Sequence, residues 1–491
     1  MVYYQPISNE GGILLLSKQL IRSLGLWGAV ATAVGIVVSS SALVSLGQGF
    51  GIGGKGFIIA MLFALFLNLC VAFSFSELSG IIPRAGGINH FTLPAMGPFV
   101  GMVAVISGYV LVTIFAGSAE AAISGFIVTE VFSVKINPVL VSIVVVLFLG
   151  ISNLFGVKVF SWTQTILTTL LIGSTVTLGI IGLTGNATGT PVTNTLDFNP
   201  MGWGVLSLTA LAFWLFVGVE FVTPLAEEIK KPKIYIPLSM ILGLVIIFIA
   251  DLIFGFASIK YAPLEGLAES ASPHVDAAKA MLGDTGLIWM GIVTILATSS
   301  TLNTLISSIS RMLYAMALEG QMPKVFSKLN RWGIPWVAIL FMSLLFVFFL
   351  LIGITNSSSI TTFILAGCLC WMVAYIIAHL NVIILRLKYP NIKRGFKSPF
   401  GFTFQIIGIV GMLYVIFNIF PDQTIKMNIY TYTIIFLTLT VVYSFCWVKF
   451  VMKKRIFETT PIEVLTSHTE EEEGESEQLN SPINEGKGVN I

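Results

Sequence analysis

Charge is scarce in this sequence: only 10% of its 491 residues are Asp, Glu, Lys or Arg, where a soluble domain carries roughly a quarter. That shortage excludes an ordinary water-soluble globule, and no nucleic-acid partner is expected. Histidine is scarcer still. The four, at 90, 274, 379 and 468, stand in unrelated positions, so they do not converge into an enzyme's base or a metal centre. The four cysteines, Cys70, Cys368, Cys370 and Cys446, all lie inside apolar runs; neither a disulfide framework nor a metal cluster is supported, and buried, inert thiols are expected. No cofactor is implied. Repeated rings of charge, as an ion channel would need, are also missing. The polar start "MVYYQPISNEGG" lacks the basic flank, short apolar run and cleavage site of a removable leader, so Met1 is expected in the mature chain.

What fills the sequence instead is apolar. Hydrophobic residues make up 56% of it, with a mean hydropathy of +0.93, which indicates a polytopic membrane protein. A membrane-spanning helix needs about 20 apolar residues. Twelve stretches qualify, near 24–47, 56–80, 97–128, 138–156, 161–184, 204–228, 235–258, 285–316, 335–354, 359–387, 402–420 and 430–450. With the N-terminus inside, 21 of the 26 lysines and arginines face the cytoplasm, leaving Lys55, Lys135, Lys260, Lys279 and Lys426 outside. This bias places both termini of a multi-pass cell-membrane protein in the cytoplasm.

The C-terminal end is different in kind. Residues 456–491 hold nine acidic residues, with "EEEEGESE" beginning at Glu470, against the single base Lys487. A segment so polar is expected to stay disordered. A second reading has it lying against the basic cytoplasmic face, an attraction that salt would weaken.

Two of the apolar stretches are poorly built as helices. "TAVGIVVSSSALVSLG" (Thr32 to Gly47) combines glycines, a serine triplet and β-branched residues; "FWLFVGVEFVTPLAEE" contains Gly218, Glu220 and Pro224. Each disfavours an unbroken helix. Irregular backbone at membrane depth is tolerated where it is buried in protein or lines a cavity, and transporters built from inverted repeats bind cargo at two such breaks. They fall in the first and sixth spans, an offset of five, as a five-plus-five inverted repeat requires.

Three further stretches carry a resemblance. "SELSGIIPRAGGINHFTLPAMGPFVG" (Ser76 to Gly101), "FVGVEFVTPLAEEIKKPKIYIPLS" (Phe216 to Ser239) and "SRMLYAMALEGQMPKVFSKLNRWGIPWVAI" (Ser310 to Ile339) resemble, in order and spacing, the loop after span two, span six with its following loop, and the span eight-to-nine connection of amino acid permeases of the amino acid-polyamine-organocation superfamily. The resemblance implies an all-α polytopic membrane protein of 12 transmembrane helices in a leucine-transporter-like fold. Its inverted five-helix repeats would span residues 24–184 and 204–387, with two peripheral helices over 402–450, a cytoplasmic segment 1–23 and the acidic tail 451–491. It further implies a secondary transporter of amino acids or related amines working by alternating access. In that family the cargo's carboxylate is held by exposed amides at the span-one break, and its amino group by carbonyls of spans one and six. The poles of broken helices suit both groups.

Carried onto this sequence, the family's Gly-Ser/Thr-Gly signature and its two apolar followers fall on Ser39, Ser40, Ser41, Ala42 and Leu43, with Val38 beside them and Gly35 matching an upstream glycine. Both signature glycines are serines here. Serine admits a ligand to the backbone less readily than glycine but adds a hydroxyl; alternatively, the serines bond back to their own helix. Trp214 matches a stacking and gating aromatic, or is a packing tryptophan. Phe216, Val217 and Gly218 would form the second break. An intramembrane carboxylate normally faces a cavity or partner, and Glu220 matches an acidic position that in the family lies close to the substrate site; gating or protonation stands against a structural hydrogen bond to a neighbouring helix.

Glu120 and Asp251 are expected in the outer halves of their helices, as charge partners of the cargo, proton carriers or vestibule pairs. His379 reads as a satisfied interfacial histidine. A lysine found in span five of some relatives is absent, its place falling near Leu171, and Lys158 reads as a cytoplasmic anchor. Exchange of cargo, or proton coupling through Glu220 or Glu120, remains. Sodium coupling is less favoured, although Ser299, Ser300 and Thr301 offer oxygens. An amino acid receptor signalling through the acidic tail stands as the alternative function. Oligomeric state is not legible.

Overall fold

A computed structural model of the chain describes residues 3–7, 15–19, 24–82, 87–131, 133, 135–154, 160–192, 198–226, 229–353 and 357–463. The body is all-helical. Ahead of it stands a short antiparallel hairpin, β1 (Tyr3–Ile7) with β2 (Leu15–Gln19), Tyr3 opposite Gln19; nothing in the sequence reading marked it.

The first apolar stretch is two helices, α1 (Leu26–Val37) and α2 (Ser40–Gly53). The β-branched pair Val37 and Val38 and the serines that follow all compete with helix. Val38 and Ser39 take extended backbone, and Ser39 Oγ accepts from the amide of Ala42 at 3.2 Å, starting α2 afresh. A turn at Gly54 leads into α3 (Phe57–Ile81), followed by α4 (Gly87–Met96) and α5 (Pro98–Val105). Through a π-helical segment, Ile106–Leu111, α5 runs on into α6 (Val112–Val131). Next come α7 (Pro138–Asn153), begun by the Asn137 cap and Pro138, and α8 (Phe160–Thr184).

The second poor stretch is also broken. A 3-10 segment, Gly202–Leu208, passes into the short α9 (Thr209–Trp214), then a turn over 215–218 and a second 3-10 segment, Val219–Leu225. Gly218 has φ +108°, a conformation glycine adopts without the Cβ clash that other residues meet. Beyond it lie α10 (Pro232–Tyr261), the connecting helices α11 (Leu264–Glu269) and α12 (Pro273–Leu282), then α13 (Asp284–Leu318), α14 (Trp336–Gly353), α15 (Ser357–Lys388), α16 (Thr403–Phe417) and α17 (Gln423–Cys446).

Among the described residues, seven helices are by length and composition able to cross a membrane, and five shorter apolar helices accompany them. Their outward residues, such as Phe148, Leu344, Val410 and Leu439, are exposed. Such a surface suits lipid and would aggregate in water. Cys446 departs from expectation: it is exposed on α17 while the other three cysteines are buried.

The two broken stretches pack together crosswise. α1 lies against the 3-10 segment Val219–Leu225, and α2 against α9, so the halves run antiparallel. Just outside α1, the amide of Lys230 donates to the carbonyl of Leu24 at 3.0 Å.

Elsewhere, buried polar groups lock helix ends together. The carboxylate of Glu77, at the end of α3, receives Arg386 Nε at 2.8 Å and Nη2 at 2.5 Å, stands 3.1 Å from Arg394, and accepts the amide of Ser398. Residues 456–463 are placed, not free: the amide of Thr460 donates to Leu93 at 3.1 Å, Phe457 meets Phe99 edge-on, and Ile462 is buried. Arg84, Lys158 and the tail from 464 lie outside the described residues.

Candidate functional site

The interruption between α1 and α2 leaves the first amides of α2 without intrahelical partners. A carboxylate takes them. Glu120, from the middle of α6, accepts the Ser40 amide at 3.0 Å and the Ser40 hydroxyl at 2.6 Å on Oε1, and the Ser41 amide at 2.8 Å on Oε2. Ser40 Oγ lies also 2.6 Å from Thr298 Oγ1 of α13. Removing a carboxylate from water costs several kcal/mol. Three bonds to a charged acceptor, at ~1.5–3 kcal/mol each, together with the positive end of a helix, offset that cost. Glu120 thus closes the first break, from a position past the midpoint of the continuous segment Pro98–Val131. The amides that the resemblance would assign to a cargo carboxylate are therefore bonded to the protein's own side chain.

The serines do not bond back to a continuous helix. Ser39 caps α2 and lies 3.0 Å from Ser41 Oγ, while Ser41 Oγ accepts the indole N–H of Trp214 at 3.2 Å. Ser39, Ser41 and Glu120 share a cavity of about 40 Å³ with Val37, Trp214 and Val217, room for a few water molecules. Its other walls come from Val112 and Ala116 of α6, Thr301, Thr304 and Leu305 of α13, and Trp371 of α15. Mostly apolar and aromatic, the walls carry a few hydroxyls and one carboxylate. The π-helical segment lies directly before Val112, and such segments often mark functional positions.

The remaining sequence-predicted residues divide. Gly35 is buried within α1, Val38 forms the extended link, and Ala42 supplies the amide that Ser39 caps. Phe216 is buried away from the cavity, its ring 6.3 Å from that of Phe248. Gly218 donates its amide to the Tyr375 hydroxyl at 3.2 Å. Glu220 stands behind the cavity wall, accepting from Trp371 Nε1 at 3.0 Å and from the Tyr375 hydroxyl at 2.6 Å. Asp251 is half-buried on α10 and does not line the cavity. His379 is buried, its Nδ1 2.8 Å from Ser74 Oγ. Of the span-eight hydroxyls, Thr301 reaches the cavity.

Trp371 and Tyr375 escaped the sequence reading. They form the hub of the site: the Trp371 ring lies 5.8 Å from Trp214, 6.1 Å from Phe221 and Tyr375, and 6.4 Å from Tyr109. Their signal was a tryptophan and a tyrosine four residues apart, hence on one helix face, in a span otherwise read only for its histidine.

Known proteins are similar to this chain in sequence. The family described as "Amino acid permease" matches residues 24–443. An uncharacterised transporter of Rhizobium meliloti (strain 1021) is 28% identical over 406 residues, covering 78% of this chain and 83% of that protein. The branched-chain amino acid permease BcaP of Bacillus subtilis (strain 168) is 24% identical, covering 82% and 89% respectively. The serine/threonine exchanger SteT of the same organism is also 24% identical, over 84% of this chain and 94% of its own.

Proposed function

Because the chain belongs to the amino acid permease family, which consists of transporters and not enzymes, we propose that it carries amino acids or related amines across the cell membrane by alternating access, bound between its two broken segments. The observation that carries this reading is the crosswise pairing of α1–α2 with α9 and Val219–Leu225 around one small cavity. The broken helices there turn a positive and a negative pole toward a zwitterion, the positive one bonded to Glu120 in this structure.

Among the described residues, the seven long and five shorter apolar helices support twelve spans, and the lysine and arginine bias of the sequence supports both termini in the cytoplasm. They are arranged as inverted repeats over 24–184 and 204–387, with α16 and α17 peripheral. The antiparallel contact of the two breaks is what such a repeat predicts. Cargo binds at Ser39, Ser41, Val217 and Trp214, with Glu220 setting the position of Trp371 at the gate. Transport proceeds by exchange, as in the relative named a serine/threonine exchanger, or with protons. Asp251, outside the cavity, takes at most an indirect part.

Counterflow in proteoliposomes tests the proposal. Protein reconstituted with one unlabelled amino acid or amine inside should accumulate the labelled form from outside; failure with every proteinogenic amino acid and its decarboxylated amine, at two pH values, would remove it.

A further inference from the structure

The Glu120 carboxylate occupies the seat that an amino acid's own carboxylate needs. In the first turn of α2 the Ser40 and Ser41 amides are bonded to Glu120, the Ala42 amide to Ser39 Oγ, and the Leu43 amide to the Ser39 carbonyl at 3.3 Å. A cargo carboxylate arriving here finds those donors taken and meets a like charge. Two carboxylates cannot share two amides, so one must leave.

What Glu120 meets on leaving decides its charge. Thr298 faces it from α13, Ser40 and Ser41 from α2, and the cavity beyond is walled by Trp214 and Trp371. α2, α7 and α14 carry no ionisable side chain. The ionisable groups of α13 near its ends are distant: Asp284 begins the helix, and Arg311 lies roughly 20 Å along it from Thr298. On α15, Tyr375 is bonded to Glu220 and Cys368 to the Ala210 carbonyl, with Cys370 and His379 buried and Arg386 bonded to Glu77; Tyr109 of the π segment packs on Phe221. Among the described residues no lysine, arginine or histidine forms an ion pair with Glu120. An unpaired carboxylate is too costly to keep in apolar surroundings, and neutralises instead.

We propose that Glu120 is a resident stand-in for the cargo's α-carboxylate: the amino acid displaces it from the Ser40 and Ser41 amides, and the displaced side chain carries one proton through the membrane with each amino acid. This rests on reading the break as the cargo site. On binding, Glu120 takes a proton from the side the amino acid came from, and the cargo carboxylate takes the two amides. On release, Glu120 returns to the amides and gives its proton to the other side. A zwitterionic cargo thus moves one positive charge per cycle. A cargo lacking a carboxylate leaves Glu120 in place and needs no proton.

The test uses the full-length protein in liposomes holding a pH-sensitive dye, with L-serine and L-leucine as cargo, ethanolamine and 3-methylbutylamine as their decarboxylated partners, and tryptophan fluorescence to report binding. The expected result is lumen acidification of one proton per amino acid, faster uptake under an inside-negative potential, and amine binding with no proton taken up. Glu120→Gln should lose acidification and potential dependence while amino acid exchange persists at a changed rate. Amino acid uptake by the unaltered protein without acidification would overturn the proposal, whatever the variant does, as would acidification by Glu120→Gln equal to that of the unaltered protein. If neither amino acid changes the fluorescence or exchanges, the reading of the break as cargo site fails first, and the proposal with it.

Discussion

The indole N–H of Trp371 donates to Oε1 of Glu220 at 3.0 Å, so a side chain walling the cavity is held by the carboxylate that follows the second break. The other oxygen of Glu220 accepts from Tyr375, and Tyr375 in turn accepts the Gly218 amide. The turn over 215–218 and the aromatic hub on α15 are thereby tied into one unit.

Glu220→Gln keeps one acceptor but turns a donor toward the Tyr375 hydroxyl. Losing a hydrogen bond to a charged group costs ~1.5–3 kcal/mol, about 10- to 100-fold in an equilibrium constant. Initial exchange rates at saturating cargo are expected to fall by at least about tenfold, with a changed Trp371 environment in fluorescence. Unaltered rate and spectrum would show that the link does not position Trp371.

Ser39 acts on stability as a cap. Replacing such a residue by alanine costs about 1 kcal/mol, by glycine only a few tenths. Ser39→Ala should therefore lower the melting temperature in detergent more than Ser39→Gly, although glycine has the lower helix propensity. The reverse order would exclude capping as the role of Ser39.

At the end of α3, Glu77→Gln leaves Arg386 and Arg394 buried with their charge uncompensated. Breaking a buried ion pair in this way typically costs 3–5 kcal/mol. The variant should lose several degrees in melting temperature and be cut faster by protease in the connection between α15 and α16. An unshifted melting curve would argue against a lock at this position.

His274, on α12 in the connection between α10 and α13, is buried, and burial pushes its imidazole down from 6.5 to about 3. The unfolded chain binds this proton below pH 6.5 and the folded protein only near 3, so folding is opposed as pH falls through that window. Stability should be flat in this respect above pH 7 and decline by up to ~1.4 kcal/mol per unit below about 6.5. His274→Asn should flatten that limb in thermal melts from pH 5 to 8; an identical slope in the variant would assign the pH dependence elsewhere.

Much of this protein was legible because lipid permits so little. The shortage of charge and the long apolar runs required helices, and the serine triplet with its β-branched neighbours, like Gly218 with Glu220, marked where helix fails. Those are local signals, set by propensity within a few residues. The short α4, α11 and α12 had no comparable signal, since connecting helices obey no length rule imposed by a bilayer. The start of α17 was read at 430 instead of Gln423 because polar residues precede its apolar core.

The sequence by itself determined that the chain is a helical membrane protein with two broken segments, since both follow from composition and from what a backbone without water can tolerate. Only the tertiary structure decided what fills the first break. Glu120 lies 80 residues from Ser40, and no local pattern shows that its carboxylate, and not one brought by a ligand, satisfies the amides of α2. Trp371 reaches Glu220 across 151 positions for the same reason: partners for unsatisfied groups are chosen by packing in space, to which spacing along the chain is blind.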